Sequence, residues 1–193
     1  MTMEVNIKNH NDGLIAAVTP DYQLKTQAES LELQHFISRE KGQTFQVIGR
    51  TDTLTAATIP ILHVTNNDPD RLMVISYIRA GVVDSNATLP GVGDYIQLGV
   101  GTTGSGGTAV TPVNTNRSSG KTASITALHS TPTSSGTFSE IDTFYPKADG
   151  EQQVWNKAGS VILGLGDTFE ARIVSTATTG IAWARFTFMM LDK

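Results

Sequence analysis

The chain has 193 residues and no cysteine, a length that suits one domain with a single core and a composition that excludes disulfides, a thiolate nucleophile and Cys-ligated zinc. Its formal net charge of −4, without any run of basic residues, argues against a nucleic-acid-binding surface. No basic stretch precedes an apolar one at the start, and no apolar run approaches a length of about 18 residues, so we expect neither a signal peptide nor contact with a membrane.

The first 40 residues differ in composition from the rest and predict an N-terminal arm, residues 1–40, ahead of a β-sandwich domain, residues 41–193. Residues 6–20 are polar and turn-forming, with little to bury, as in a segment that becomes ordered on a neighbour. Residues 21–41 follow Pro20 and are rich in Gln, Glu, Leu and Ala, which favours a short helix in an otherwise extended arm. We expect its apolar interface residues to be Leu24, Leu31, Phe36 and Ile37.

The rest of the chain is rich in Thr, Ser, Gly and Val, which are typical of strands and turns. The segment 71–83 is apolar at nearly every position, as in a strand covered on both faces. Residues 101–120 have the composition of a loop, with one short strand at 108–114. The other strands predicted up to residue 163 are, in chain order, 44–48, 59–65, 94–100, 122–129, 140–144 and 160–163.

Two further strands near the C-terminus show the clearest alternation. Apolar residues alternate with Glu170 and Arg172 between positions 168 and 173, and even-numbered residues from Ala182 to Met190 form a second apolar face. The short connection at 178–180 predicts that these two runs form an antiparallel hairpin. With about nine strands in all, the sequence predicts an all-β fold, a jelly-roll-like antiparallel β-sandwich.

Two sequences resemble nucleotide-binding motifs but lack a required feature. Gly99-x-Gly101-x-x-Gly104 matches the glycine pattern of the dinucleotide-binding motif, but more glycines and then Pro112 follow where a helix must begin. The sequence around Lys121 resembles the end of a phosphate-binding loop, yet Thr115 stands where that loop requires glycine. We therefore expect no nucleotide cofactor.

The polar residues also form no recognised catalytic or metal-binding motif. The histidines lack the spacing of metal ligands and are interpreted as surface or isolated polar contacts; they are His10, His35, His63 and His129. A Gly-x-Ser-x-Gly elbow does not occur. We expect no catalytic residue, no metal site and no cofactor of any kind.

Two pairs of carboxylates leave weaker alternatives open. Glu140 and Asp142 would share one face of a strand and could suit a glycosidase, although nothing predicts the apolar pocket that such an acid needs. Asp68 and Asp70 flank Pro69 in a segment with the composition of a turn. A calcium ion bound by these two residues is the less favoured interpretation.

Aromatic residues between positions 138 and 155 are open to two interpretations. They could line a surface for a ligand or partner, a carbohydrate among others, or fill the core of the sandwich. The residues in question are Phe138, Tyr145 and Trp155.

Several segments resemble virion structural proteins of tailed bacteriophages. They are SREKGQTFQVIG at 38–49, HVTNNDPDRLMVISYIR at 63–79, GGTAVTPVN at 106–114, EID at 140–142 and KADG at 147–150. The resemblance implies a non-enzymatic head decoration or cement protein: a jelly-roll-like sandwich, often a homotrimer, that binds the major capsid protein on the capsid surface after assembly in the host cytoplasm. The alternative is a phage fibre or lectin-like module that recognises a cell-surface carbohydrate.

Overall fold

A computed structural model of the chain describes residues 17–18, 24–25, 37–83, 94–146, 151–156 and 161–193. The chain divides into two compact units, Met1–Glu32 and Leu33–Lys193. In the described part of the first unit, β1 (Ala17–Val18) and β2 (Leu24–Lys25) pair as short antiparallel strands.

The helix predicted over residues 21–41 lies largely outside the described residues. Within that range Leu24–Lys25 is a strand, and Ile37–Lys41 forms one turn of π-helix. Two of the predicted arm residues, Leu31 and Phe36, fall outside the described residues as well.

After that turn, all regular secondary structure among the described residues consists of β-strands, as the composition predicts. They are β3 (Thr44–Arg50), β4 (Thr58–Asn66), β5 (Arg71–Val83), β6 (Tyr95–Ser105), β7 (Thr108–Ala109), β8 (Val113–Asn114), β9 (Ile125–His129), β10 (Thr133–Phe144), β11 (Gln152–Trp155), β12 (Val161–Leu163), β13 (Thr168–Val174) and β14 (Ile181–Asp192). The bounds of the strand predicted at 71–83 are confirmed to the residue, but it is not covered on both faces throughout, because Tyr77 and Arg79 on its outer face are only partly buried. In the described part of the chain no helix is long and apolar enough to cross a membrane.

Among the described residues, the strands of the second unit form two antiparallel sheets. Sheet I has the order β11-β5-β14-β3-β8, with β12 also paired to β5. Sheet II has the order β10-β6-β13-β4-β9-β7. Inward-facing side chains of both sheets meet in one hydrophobic core, so the predicted all-β sandwich is confirmed.

Aromatic side chains from both sheets pack in this core. Phe169 of sheet II meets Phe186 of sheet I edge to face, with ring centroids 5.1 Å apart. Within sheet I, Phe45 and Phe188 stack at 5.7 Å. All four are almost fully buried, and rings of this size dominate the burial of apolar surface that stabilises such a core.

The predicted hairpin between the last two strands is wrong. β13 pairs with β4 and β6 in sheet II, whereas β14 pairs with β3 and β5 in sheet I. Residues 175–180 therefore cross from one sheet to the other. The alternation of apolar and polar residues shows that each strand has one apolar face. It does not show whether two such strands are neighbours in one sheet or face each other across the core from different sheets.

The predicted strand at 108–114 is in fact two short strands that extend different sheets. β7 pairs with β9 in sheet II, and β8 pairs with β3 in sheet I. Both belong to an insertion between β6 and β10, whose ends meet where Ser105 pairs with Thr133.

Candidate functional site

The outer face of sheet I carries three arginines on three adjacent strands, Arg50, Arg185 and Arg79. In one row across the sheet, Arg185 lies between Ile48 and Arg79 as a direct cross-strand neighbour of both. In the next row, Trp183 lies between Arg50 and Gly81. We call these two rows the arginine face.

The charges on the arginine face are not balanced within the described part of the chain. The described ion pair, Asp68 with Arg71, lies elsewhere. Like charges directly opposite each other in a sheet destabilise it by a few tenths of a kcal/mol, up to about 1 kcal/mol. Arg79 and Arg185 are such a pair of directly opposed like charges.

Two aromatic residues shape the arginine face. Arg79 Nε donates a hydrogen bond to the Tyr77 hydroxyl at 3.1 Å, and its guanidinium lies 5.0 Å from the centroid of the Tyr77 ring. A Cβ atom at Gly81 would lie 3.1 Å from Trp183 Nε1. Glycine at this position therefore lets the indole lie close against the sheet.

Two exposed aliphatic residues lie beside the arginines. Ile48 is 49% exposed and Val154 47%; Ile48 is the cross-strand neighbour of Arg185, and Val154 is that of Arg79. Ile162, which is 56% exposed, lies opposite Val74, roughly 16 Å farther along β5. Arginine, tryptophan and tyrosine with an aliphatic surround are enriched at protein–protein interfaces and at their energetic hot spots. This composition makes the arginine face the candidate interface of the molecule.

The predicted arm residue Ile37 packs against the same side of sheet I. Its buried side chain forms a small cluster with Val74, Met189 and Leu191. In this structure Ile37 therefore contacts its own chain. The other described arm residue, Leu24, lies in β2 of the first unit.

The arginine face was not predicted from sequence. The signal was present in the odd-numbered residues of β14, where Trp183 and Arg185 alternate with the core residues Ala182, Ala184 and Phe186. A sheet with one solvated face normally shows small polar residues there. A Trp-x-Arg pattern on that face indicates a surface built for contact.

Sheet II contains a buried acid, Glu170 of β13. It has no solvent exposure, and its Oε2 accepts hydrogen bonds from Thr102 Oγ1 at 2.8 Å and Ser134 Oγ at 2.5 Å. These bonds connect β6 and β10 to β13. Among the described residues its Oε1 has no hydrogen-bond partner, and Glu170 lines a surface pocket together with Phe138 and Arg172.

His63 lies directly opposite Glu170 on β4. It is 1% exposed, and its Nε2 lies 3.2 Å from the Thr102 carbonyl oxygen, to which it can donate. A Cβ atom at Gly104 would lie 2.5 Å from His63 Nδ1, so glycine is needed where the end of β6 passes the imidazole. His63 is thus an internal polar contact. His129, by contrast, is partly exposed and hydrogen-bonds Ser130.

The turn at 66–71 is a closed network of hydrogen bonds. Asp68 Oδ1 accepts from the backbone N–H of Asp70 and Arg71, and Oδ2 contacts the Arg71 guanidinium. Burial acts to raise the pKa of Asp68, but Arg71 and the backbone N–H donors outweigh it and hold that pKa below its ordinary value. Both carboxylate oxygens are engaged by donors, which leaves neither to coordinate the calcium ion considered as the weaker alternative.

The remaining carboxylate pair does not share a face as predicted. A bulge in β10 pairs Glu140 with Gly99 and Asp142 with Leu98. Since adjacent residues of β6 point to opposite sides of the sheet, Glu140 and Asp142 point to opposite sides too. Among the described residues, no group of three His, Cys, Asp or Glu side chains could hold a metal ion.

The three aromatic residues considered for a ligand or partner surface are not brought together. Phe138 lies on β10 with the Arg172 guanidinium 3.4 Å from its ring centroid. Tyr145 is 64% exposed and lies 5.7 Å from Tyr95, centroid to centroid. Trp155 lies in the hydrophobic core, on sheet I, so Tyr145 is the member that is open to solvent.

Comparison with known proteins gives no family. No family model matches the chain, and no curated protein matches it. Among solved structures, one of infectious bursal disease virus, Gx strain, aligns with 13% identity and a TM-score of 0.15. The alignment covers 78% of this chain and 39% of that chain, and a TM-score this low carries no argument about fold or function.

Proposed function

We propose that the sandwich is a jelly roll. Counting β11 and β12, which pair in succession along β5, as one interrupted strand, its eight principal strands pair as a rolled-up antiparallel ribbon would: first with eighth (β3–β14), second with seventh (β4–β13), third with sixth (β5 with β11 and β12) and fourth with fifth (β6–β10). The strands of the insertion, β7 to β9, only widen the two sheets. Viral capsid proteins, lectins and cupins use this fold, so the fold alone does not determine the function.

We propose that the protein is a non-enzymatic virion structural protein that decorates and stabilises a tailed-phage capsid. The observation that carries this proposal is the arginine face, where two arginines are directly opposed and two aromatic residues lie beside them. Such a surface suits contact with another protein better than it suits a soluble monomer. The segments that resemble phage virion proteins support the phage assignment.

In this proposal the chain acts by adding contacts to a lattice. Its partners are other copies of itself, as a homotrimer, and the major capsid protein. Each contact needs only modest affinity, because several contacts on one shell act together through their high effective concentration. The arm, residues 1–40, adds to these contacts by burying surface on a neighbouring subunit.

Co-sedimentation with capsid shells assembled without the protein tests the proposal. We expect the full chain to sediment with shells, and a deletion of residues 1–37 to remain in the supernatant while it stays folded by circular dichroism. A screen of the same protein against cell-surface glycans tests the fibre or lectin-like alternative, for which exposed Tyr145 is the first residue to replace. Glycan binding without shell binding would overturn the decoration proposal.

A further inference from the structure

We infer that the arginine face binds the acidic N-terminal segment, residues 1–36, of a second copy of this chain. The inference deepens the proposed function, since it names the partner of that face, and it rests on the same view of the protein as an assembly subunit. Charge, apolar contact and the position of the segment each support this occupant.

The charges of the two surfaces are complementary. Residues 1–36 contain five acidic residues and two lysines, a net charge of −3 (2 − 5), out of −4 for the whole chain. Its acidic residues are Glu4, Asp12, Asp21, Glu29 and Glu32. The arginine face presents three positive charges that no described acidic residue pairs. Carboxylates placed between Arg79 and Arg185 would convert their repulsion into two attractive contacts, and arginine favours such bidentate pairing.

The apolar residues are complementary as well. The segment contains Leu24, Leu31 and Phe36, and the exposed residues Ile48 and Val154 are direct neighbours of the arginines on the sheet. Apolar contact supplies the binding free energy that exposed ion pairs alone do not. The apolar residues expected to anchor the arm are therefore chemically suited to bind the arginine face.

The residue that follows the segment also lies on the side of the arginine face. Ile37 packs against Val74 and Met189 on the same outer side of sheet I. Reciprocal exchange of such a segment between copies of a symmetric assembly is a low-cost route to oligomers.

Sedimentation equilibrium of the full chain, free of shells, tests the inference. We expect concentration-dependent self-association, at least about tenfold weaker in Arg50→Glu/Arg185→Glu, a change that corresponds to about 1.4 kcal/mol. Among the described residues neither arginine side chain makes a hydrogen bond or ion pair, so this variant should fold. Arg117→Glu/Lys121→Glu, with the same change in charge on the exposed loop after β8, is the matched control and should associate like the natural chain.

Charge exchange identifies the segment as the occupant. Glu29→Lys/Glu32→Lys should weaken association to a similar extent, and combining it with Arg50→Glu/Arg185→Glu should restore it. Failure of this rescue, or a natural chain that is monomeric at every concentration, would overturn the inference. Because no shell is present, such a result would leave the capsid proposal standing, whereas self-association without shell binding would overturn the capsid proposal alone.

Discussion

Substitution of Arg185 by Gln and by Glu should make the fold more stable while it weakens binding. Arg185 and Arg79 are direct cross-strand neighbours, and like charges at such positions destabilise a sheet by a few tenths of a kcal/mol, up to about 1 kcal/mol. Removing one charge should therefore raise the free energy of unfolding by about 0.5 kcal/mol, and reversing it by about 1 kcal/mol.

Urea unfolding at a protein concentration that keeps the chain monomeric measures this series. We expect stability to rise from Arg to Gln to Glu at low salt and the differences to shrink in 1 M salt, where charges are screened beyond about 3 Å. The same substitutions at Arg117, an exposed loop residue, should change stability by less than about 0.5 kcal/mol. An Arg185→Glu variant less stable than the natural chain, or gains that salt does not reduce, would refute the account of the arginine face.

Three further predictions concern the fold. Asn66 Nδ2 donates hydrogen bonds to the carbonyl oxygens of Arg71 and Leu163. Asn66→Asp should therefore lower the free energy of unfolding, measured in urea, by about 3 kcal/mol or more, because a buried carboxylate would face two acceptors. A loss below about 1 kcal/mol would contradict this. Because the pKa of Asp68 is lowered in the folded state, its contribution to stability is present above its unfolded-state pKa of about 3.9 and is lost as the pH falls through its folded-state pKa. Asp68→Asn should flatten that part of the curve of stability against pH. An unchanged curve would contradict the hydrogen-bond network described at residues 66–71. Gly104→Ala should cost about 1–3 kcal/mol in thermal melts, because its Cβ would lie 2.5 Å from His63 Nδ1, whereas Gly164→Ala, which meets only a flexible Asp167 side chain, should cost less in the same melts.

The sequence was sufficient to predict strands but not their neighbours. The strand predicted at 71–83 was correct because thirteen apolar-rich residues are typical of a buried strand. β13 and β14 were assigned to one hairpin because periodicity describes a strand's faces and not its partners. Arg79 and Arg185 are far apart in the sequence, so their pairing can be predicted only when the partners of β14 are known. The bulge that separates Glu140 from Asp142 was missed for a related reason, since strict alternation assumes an unbroken register.

We propose that this sandwich is an assembly subunit on the outside of a phage head. Electron cryomicroscopy of virions assembled with and without the protein is the decisive experiment. We expect the difference map to contain a two-sheet density on the outer surface of the shell, with a link to a neighbouring copy that reaches the arginine face. Identical shells, with the extra density at the tail or nowhere on the particle, would contradict it.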